Sequence, residues 1–169
     1  MDAAAARGSS PVVACLMLKA PRPGLVKTRL ARLTGNGEAA RIYRRLVEFQ
    51  MGRLPADWRI EIHFAPADAE TEMRSWLGAG ALYEPQMAGD LGDRMRGAMF
   101  SAFGRGAAAA IFLGGDCPYV DGEILSDASG ALATADLVLG PALDGGYYLL
   151  GTRRDRKSTR LNSSHESPS

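Results

Sequence analysis

The 169-residue sequence has little of several features that define special classes of protein. It has two cysteines, Cys15 and Cys117, which lie far apart and belong to no CxxC or Cys/His pattern, and Cys15 sits in an apolar run where a buried thiol is expected. The net charge of +1 provides no overall field for nucleic acid or an acidic membrane. The N-terminal apolar run, residues 11–18, is much shorter than a membrane span and lacks a signal-peptide cleavage site. We therefore expect a cytoplasmic enzyme domain with no nucleic-acid or membrane partner.

Acidic residues are missing from one long stretch of the chain. No carboxylate side chain occurs between Asp2 and Glu38, although residues 19–31, KAPRPGLVKTRLA, are strongly basic. The basic side chains of this segment are Lys19, Arg22, Lys27 and Arg29. Two prolines and Gly24 shape the turn, and the cations suit phosphate oxygens. The segment is not a Walker A loop, because GLVKT lacks the second glycine before the lysine. Phosphate binding and a solvated basic loop are the two interpretations.

Strand-like apolar runs alternate with helical stretches along the chain. Strands are predicted at residues 12–18, 58–66, 81–85, 107–116, 135–141 and 145–151. Helices are predicted at residues 36–54, 67–77 and 122–133, and after a cap at Asp90. The first helix should have Ile42, Leu46 and Phe49 on one face with the arginines elsewhere. The order implies right-handed βαβ units, and therefore an α/β fold with a mainly parallel sheet.

Both ends of the chain differ in composition from the centre. We predict a disordered N-terminus at residues 1–10, a single domain at residues 11–154, and a non-native disordered tail at residues 155–169. The tail is polar and aperiodic, with Leu161 as its only apolar anchor. Its string DRKSTRLNSSH resembles the in-frame translation of a sequencing-library adaptor. This resemblance predicts that the native sequence is cut near Arg154 and that the domain is incomplete.

Two aspartates lie next to glycines where predicted strands end. Asp116 follows two glycines in GGDCP, and Asp144 precedes two glycines in GPALDGGYYLLG. Ligands of open α/β sheets bind outside the carboxyl ends of the strands, and carboxylates placed there suit Mg²⁺. Each aspartate also has a structural interpretation, Asp116 as a cap and Asp144 as part of a hairpin turn. In MAGDLGDRM, Asp90 either caps a helix or helps that helix end to receive ligand oxygens. A basic loop, a divalent metal and carboxylates together predict a nucleoside diphosphate or triphosphate site.

Four segments carry a family resemblance. PRPGLVKTRL, AGDLGDRM, LGGDCPYV and GPALDGGYYLLG, in this order, resemble the arsenosugar-biosynthesis glycosyltransferase family, also called the radical-SAM/selenodomain-associated transferases. This family is a branch of the nucleotide-diphosphosugar transferase (GT-A) superfamily. The segments are also similar to the 2-phospholactate and the molybdenum-cofactor guanylyltransferases. The resemblance spans roughly residues 11 to 152 and implies a Rossmann-like GT-A fold, a nucleotide-activated donor and a divalent metal, Mg²⁺ or Mn²⁺.

The resemblance also implies roles for individual residues. Asp116 and Asp144 would be the catalytic, metal-binding carboxylates. The nucleotide- and phosphate-binding residues would be Arg22, Gly24, Lys27, Arg29, Gly89, Asp90 and Gly92. The departure from the family pattern is at the end, where the adaptor-like tail replaces the helical and strand segments that family members have after GGYYLLG.

The function we expect is that of a metal-dependent glycosyltransferase that uses a nucleotide-activated sugar and a small-molecule acceptor. A role in arsenosugar biosynthesis is implied by the resemblance. One alternative is a guanylyltransferase-like nucleotidyltransferase that takes a nucleoside triphosphate and a phospho-acceptor. An alternative of another class is a non-catalytic nucleotide-binding fragment. The same residues serve the two enzymatic reactions, because in each a metal and basic side chains hold a pyrophosphate.

Overall fold

The structure is a computed structural model that describes residues 12–154. Within this part of the chain, six strands form one mixed sheet in the order β3-β2-β1-β4-β6-β5. Their bounds are Val12–Lys19 (β1), Arg59–Ala65 (β2), Leu82–Pro85 (β3), Ala109–Gly114 (β4), Leu137–Pro141 (β5) and Tyr147–Arg153 (β6). The six strands expected from the sequence are confirmed. The predictions for residues 1–10 and 155–169 lie outside the described residues.

Five α-helices accompany the sheet in the described residues. Their bounds are Thr28–Thr34 (α1), Asn36–Met51 (α2), Glu70–Leu77 (α3), Leu91–Gly104 (α4) and Gly122–Ala131 (α5). A 3₁₀ turn, Ala67–Ala69, precedes α3. The helix α1 was not expected, because residues 19–31, which include its first four residues, were interpreted as a loop. This interpretation was wrong for Arg29, which lies on a helix.

The strand directions make the sheet mainly parallel. β1 pairs in parallel with β2 on one side and β4 on the other, and β3 continues the parallel ladder next to β2. β6 runs antiparallel to both β4 and β5, so β5 has the same direction as β4. The chain moves outward from β1 to β2 and β3 and then returns to β4 beside β1. The carboxyl ends of β1 and β4 therefore border a topological switch point, where open α/β sheets bind ligands.

Helices cover both faces of the sheet. On one face α2, α3 and α5 pack against alternate residues of β1, such as Leu16 and Leu18, in the larger apolar cluster. On the other face α4 packs against Val13, Cys15 and Phe112 in a smaller cluster. Because β1 is buried on both faces, it is a continuous apolar run and not an alternating one. The buried Cys15 thiol is confirmed.

The helix α2 turns a different face inward from the one its apolar residues suggest. Its buried residues are Ala39, Ala40, Tyr43, Val47 and Gln50. The predicted apolar face lies outward, and the Phe49 side chain is 52% exposed. Arg41 and Arg45 line the same surface groove as Ile42, Leu46 and Phe49, so the arginines are not elsewhere. Ala39 and Ala40 face inward because their small side chains allow α2 to approach the sheet closely. Tyr43 and Gln50 also face inward, where they accept hydrogen bonds from the amides of Lys19 and Cys117.

The strand β2 also differs from its sequence pattern. Its apolar and polar residues alternate, a pattern typical of a strand with one solvated face, but Glu61 and His63 are buried as completely as Ile60 and Ile62. The reason is that the end of α4 lies over this face, and Arg105, the residue after the helix, has its Nη1 3.0 Å from a Glu61 oxygen. Within residues 12–154, none of the helices has the length and apolar character needed to cross a membrane.

Candidate functional site

The basic loop leaves the carboxyl end of β1 through a tight turn. The Arg22 amide donates to the Ala20 carbonyl (2.7 Å), and the Leu25 amide donates to the Arg22 carbonyl (3.0 Å). Gly24 has φ 86°, a left-handed conformation that a glycine adopts without strain. Lys27 has φ 47° and stands at the N-cap of α1. The two turns bring the Lys27 side chain back over the sheet edge.

Lys27 meets Asp116 at this edge. The Lys27 Nζ lies 2.7 Å from Asp116 Oδ2. Asp116 comes directly after β4, the neighbour of β1, so the sheet register brings the two loops together. The Asp116 side chain is 52% exposed and that of Lys27 is 27% exposed. A cation and a carboxylate, both accessible, thus lie at the switch point of the sheet.

Gly115 fixes how closely the GGDCP loop approaches the core. A Cβ at this position would lie 2.6 Å from Leu18 Cδ2 and 2.8 Å from Val47 Cγ2. Both atoms belong to buried side chains, which would have to shift to admit a Cβ. Glycine therefore lets the loop that contains Asp116 sit against β1 and α2 without this displacement.

The other two predicted phosphate-binding cations are placed differently. The Arg22 guanidinium lies 2.9 Å from a Glu72 oxygen and 3.3 Å from an Asp68 oxygen. The hydrogen bond to Glu72 and the nearby Asp68 raise the pKa of Arg22. Arg29 lies on α1 with its side chain exposed. The N-terminal stretch contains no carboxylates, and carboxylates from later segments pair with cations of this stretch. Arg22 is paired by Asp68 and Glu72.

Asp144 lies in the hairpin that joins β5 to β6. The Ala142 amide donates to the Gly146 carbonyl (2.9 Å), and Asp144 Oδ1 accepts from the Gly146 amide (3.1 Å). The hairpin interpretation is therefore confirmed. Because β5 has the same direction as β4, this hairpin emerges at the same sheet edge as Asp116. The convergence of the two carboxylates on one ion stays a prediction.

Asp90 caps α4, as the helical pattern predicted. Its side chain accepts a hydrogen bond from the Asp93 amide (2.9 Å), and Gly89 has φ 120°. Arg94 Nε donates to the Gly89 carbonyl (3.1 Å), which further fixes the turn that contains Gly89, Asp90 and Gly92. The turn is held by these bonds and is exposed. Its contribution to nucleotide binding stays a prediction.

Gln86 ties this segment to the sheet edge. Its Nε2 donates to the Leu18 carbonyl (3.1 Å) and to the His63 carbonyl (2.8 Å). The side chain thus joins the ends of β1 and β2 to the residues that lead into α4. This role could not be predicted from the sequence, because a single glutamine after a short strand matches no pattern.

Cys117 packs beside Asp116 and does not have the environment of a nucleophile. Its Sγ lies 3.9 Å from Asp116 Oδ1 and 3.9 Å from the Tyr148 carbonyl oxygen. Burial, followed by the charge of Asp116, raises the pKa of the Cys117 thiol above its usual range. A thiol that stays protonated at neutral pH is a weak nucleophile, which supports the packing interpretation.

Two polar residues of α2, Tyr43 and Gln50, contact the backbone at the start of the two site loops. The Lys19 amide donates to Tyr43 Oη (3.0 Å), and the Cys117 amide donates to Gln50 Oε1 (3.4 Å). Burial raises the pKa of Tyr43 to about 12, and the charge of Asp116 adds to the shift. Neither residue was predicted from the sequence. Their spacing of seven positions on one helix face was the available signal.

A second charged cluster lies under α4, away from the sheet edge. Cys15, Glu61 and His63 form the one group of three or more potential metal ligands in residues 12–154, with ligand atoms within 4.8 Å of one another. The Glu61 carboxylate already has Arg59 at 3.1 Å and Arg105 at 3.0 Å. A divalent cation here would add positive charge beside two guanidiniums, so the cluster suits a structural ion network better than a metal.

The comparisons with solved structures agree with the observed fold. The chain is similar to a protein named "putative nucleotide-diphospho-sugar transferase" from Desulfovibrio desulfuricans G20, with 37% identity and a TM-score of 0.80. This match covers 85% of the chain and 64% of that protein, so the chain spans less than two thirds of its relative's length. The predicted Rossmann-like GT-A fold, with a mainly parallel sheet between helices, is thereby confirmed.

A more distant structure has the same fold. It is a 4-diphosphocytidyl-2C-methyl-D-erythritolsynthase from Anaerococcus prevotii DSM 20548, with 13% identity and a TM-score of 0.50. The match covers 95% of the chain and 81% of that protein, and at this identity it shows the fold alone. No curated protein matches the chain. The model of a family described as "Uncharacterized protein conserved in bacteria (DUF2064)" matches residues 52–165, more than half of the chain. The chain therefore belongs to the DUF2064 family.

Proposed function

We propose that the protein is a transferase that acts on a nucleotide-activated sugar, with donor phosphates bound at the edge formed by β1 and β4. The observation that carries the proposal is the Lys27–Asp116 pair of 2.7 Å, at the switch point of the sheet. The 37% identity to a structure named as a nucleotide-diphospho-sugar transferase supports the same substrate class. A role in arsenosugar biosynthesis is a finer proposal that rests on the motif resemblance. A cytoplasmic location is also proposed, and it rests on the composition of the sequence alone.

Lys27 is the residue best placed to receive the donor phosphates. Its ammonium is anchored by Asp116 and remains partly exposed, so phosphate oxygens can approach it without unfolding the loop. In the proposed complex Lys27 and Arg29 place positive charge next to the donor diphosphate. Gly89, Asp90 and Gly92 line the part of the site that holds the nucleotide. Arg22 acts differently, because its ion pairs with Asp68 and Glu72 hold the turn against α3. We therefore assign Arg22 and Gly24 to shaping the loop.

A divalent cation fits the chemistry of Asp116. The carboxylate is half exposed, and its oxygens are the hard ligands that Mg²⁺ and Mn²⁺ prefer. In this proposal Asp116 holds the metal together with Asp144 from the β5–β6 hairpin. When bound, the metal would neutralise charge on the diphosphate of the departing nucleoside diphosphate. Lys27 then keeps the Asp116 side chain oriented toward the edge, and Gly115 keeps the loop seated on the core.

Binding of nucleotides tests the proposal directly. We expect UDP or GDP to bind to the full chain in calorimetry, and Mn²⁺ to tighten the binding. Asp116→Asn should abolish the effect of Mn²⁺ while the melting temperature stays close to that of the parent. Asp136→Asn is the matched control, because Asp136 forms an exposed ion pair with Arg153 at the opposite sheet edge. Metal-independent binding, or an equal loss in both variants, would contradict the proposal.

The reaction products identify the type of transfer. Incubation with UDP-sugars should release a nucleoside diphosphate, whereas incubation with GTP or CTP and a phospho-acceptor should release no pyrophosphate. Release of pyrophosphate would replace the glycosyl proposal with nucleotidyl transfer. Binding without either product would support a non-catalytic nucleotide-binding role.

A further inference from the structure

The helix α2 contacts both loops that form the candidate site. At the last residue of β1, where the basic loop begins, the Lys19 amide donates to Tyr43 Oη (3.0 Å). Tyr43 is buried and its ring packs near Trp76, with ring centroids 6.1 Å apart. The hydroxyl is therefore held at a fixed place below the first residues of the basic loop.

At the loop after β4 the contact is made by Gln50. This side chain is completely buried, and its Oε1 accepts from the Cys117 amide (3.4 Å). Its Nε2 has no hydrogen-bond partner among the described residues. A buried donor without a partner destabilises a fold, so an apolar residue would serve better here if Gln50 only filled space. The benefit that offsets this cost is an acceptor for the amide that follows Asp116.

Gly115 makes the contact between α2 and this loop close. The position of a Cβ at residue 115 would lie 3.2 Å from Tyr43 Oη and 2.8 Å from Val47 Cγ2. Tyr43, Val47 and Gln50 follow one another on the inward face of α2. The helix α2 thus contacts the last residue of β1, from which the loop of Lys27 begins, and it approaches the loop of Asp116 at Gly115 and Cys117.

We propose that Tyr43 and Gln50 are positioning residues that hold the basic loop and the GGDCP loop together and set the Lys27–Asp116 geometry before a ligand binds. They touch the loop backbone and not the ligand. The ligand class that benefits, a nucleotide with a divalent cation, rests on the proposed function. We call the contacts of Tyr43 and Gln50 with the two loops the clamp. The clamp does not rest on the proposed function, because it is made by contacts within the protein.

Cys117 reports on the clamp without any ligand. Its thiol is half-buried in the loop that Gln50 holds, whereas the Cys15 thiol is fully buried under α4 and serves as an internal reference. We expect Gln50→Met, which keeps length but removes the acceptor, to raise the rate of iodoacetamide alkylation at Cys117 severalfold. The rate at Cys15, followed separately by peptide mass spectrometry, should not change. Val13→Ala is the stability control, because Val13 packs on the opposite face of the sheet.

Nucleotide binding provides the second measurement. In the presence of Mn²⁺, Gln50→Met should weaken binding of UDP or GDP about tenfold, the effect typical of residues that orient a metal ligand. Tyr43→Phe keeps the ring packing and removes the acceptor of the Lys19 amide, so it should weaken binding in the same direction with little loss of melting temperature. It also keeps the test available if Gln50→Met folds poorly.

The two measurements separate the clamp from the proposed function. If the parent protein binds no nucleotide, the proposed function fails, and the Cys117 rate alone decides the clamp. An unchanged Cys117 rate in Gln50→Met would overturn the clamp, even if nucleotides bind. An equal rise in Val13→Ala at matched stability would also overturn it, since the effect would then come from general loosening.

Discussion

Lys27 is the cation of the basic loop that the fold brings to Asp116 at the switch point of the sheet. Arg29 was expected to act with it, but this side chain projects from α1 and is exposed. We predict that Lys27→Ala weakens nucleotide binding by about 1–3 kcal/mol, the range for losing a charged hydrogen-bond partner. Arg29→Ala should weaken it less. Alanine keeps a Cβ at φ 47°, so Lys27→Ala introduces no new backbone conformation. Calorimetric titration measures the difference, and an equal effect of both variants would mean that only the summed charge of the loop matters.

The acidity of Cys117 depends on its neighbour Asp116. Burial raises the pKa of this thiol, and the negative charge of Asp116 raises it further. Asp116→Asn removes the second contribution, so the pKa of Cys117 should move down toward its usual range. The rate of alkylation as a function of pH should then rise at a lower pH than in the parent. A profile that does not move would show that the two side chains lie further apart in solution.

At the scale of secondary structure, the elements predicted from the sequence are those with a clear hydrophobic period or with glycines or a capping residue at their ends. The six strands and the helix after Asp90 were found, because apolar runs end at glycines and Asp90 is a good cap. The helix α1 was missed since its seven residues contain no buried side chain and show no apolar period. Its existence depends on the left-handed turn at Lys27 and on packing against α2, and neither is visible in local sequence.

The buried face of a helix or strand was predicted less well than the existence of that helix or strand. The inward face of α2 contains alanines, a tyrosine and a glutamine, whereas the larger apolar side chains of Ile42 and Phe49 point outward. Hydrophobicity alone therefore selected the wrong face. The same limit applies to the site. Lys27 and Asp116 could be predicted from loops at strand ends, whereas the spacing of Tyr43 and Gln50 indicates only a shared helix face and not what they contact. Their roles come from backbone groups that are about 24 and 67 residues away in the chain.

Glu61 connects β2 to the end of α4 through buried ion pairs. Its oxygens lie 3.1 Å from Arg59 and 3.0 Å from Arg105. We predict that Glu61→Gln lowers the free energy of unfolding by about 3 kcal/mol, the lower end for breaking a buried pair, because both guanidiniums keep some access to water. Urea denaturation measures the loss. Glu38→Gln, which breaks an exposed pair with Arg41, is the control and should change little. Equal small effects would mean that water reaches the Glu61 cluster freely.

Among the described residues, the sheet is poorly covered at the edge strand β5. β5 is an edge strand that pairs with β6 alone, and α4 packs over β1 and β4 at a distance from it. Leu137 is 54% exposed and Leu139 is 51% exposed on this strand. Exposed apolar side chains beside unpaired backbone groups favour edge-to-edge association.

The exposed edge leads to a prediction about solubility. We expect Leu139→Lys to slow aggregation of the protein, because a charge on an edge strand opposes pairing with a second copy. The melting temperature should hardly change, since half of this side chain is already in water. Light scattering during incubation near the melting temperature measures the rate. Leu33→Lys is the matched control: Leu33 is 88% exposed on α1, where no unpaired strand is available. If both lysines slow aggregation equally, net charge is responsible and the β5 edge is not the site of association.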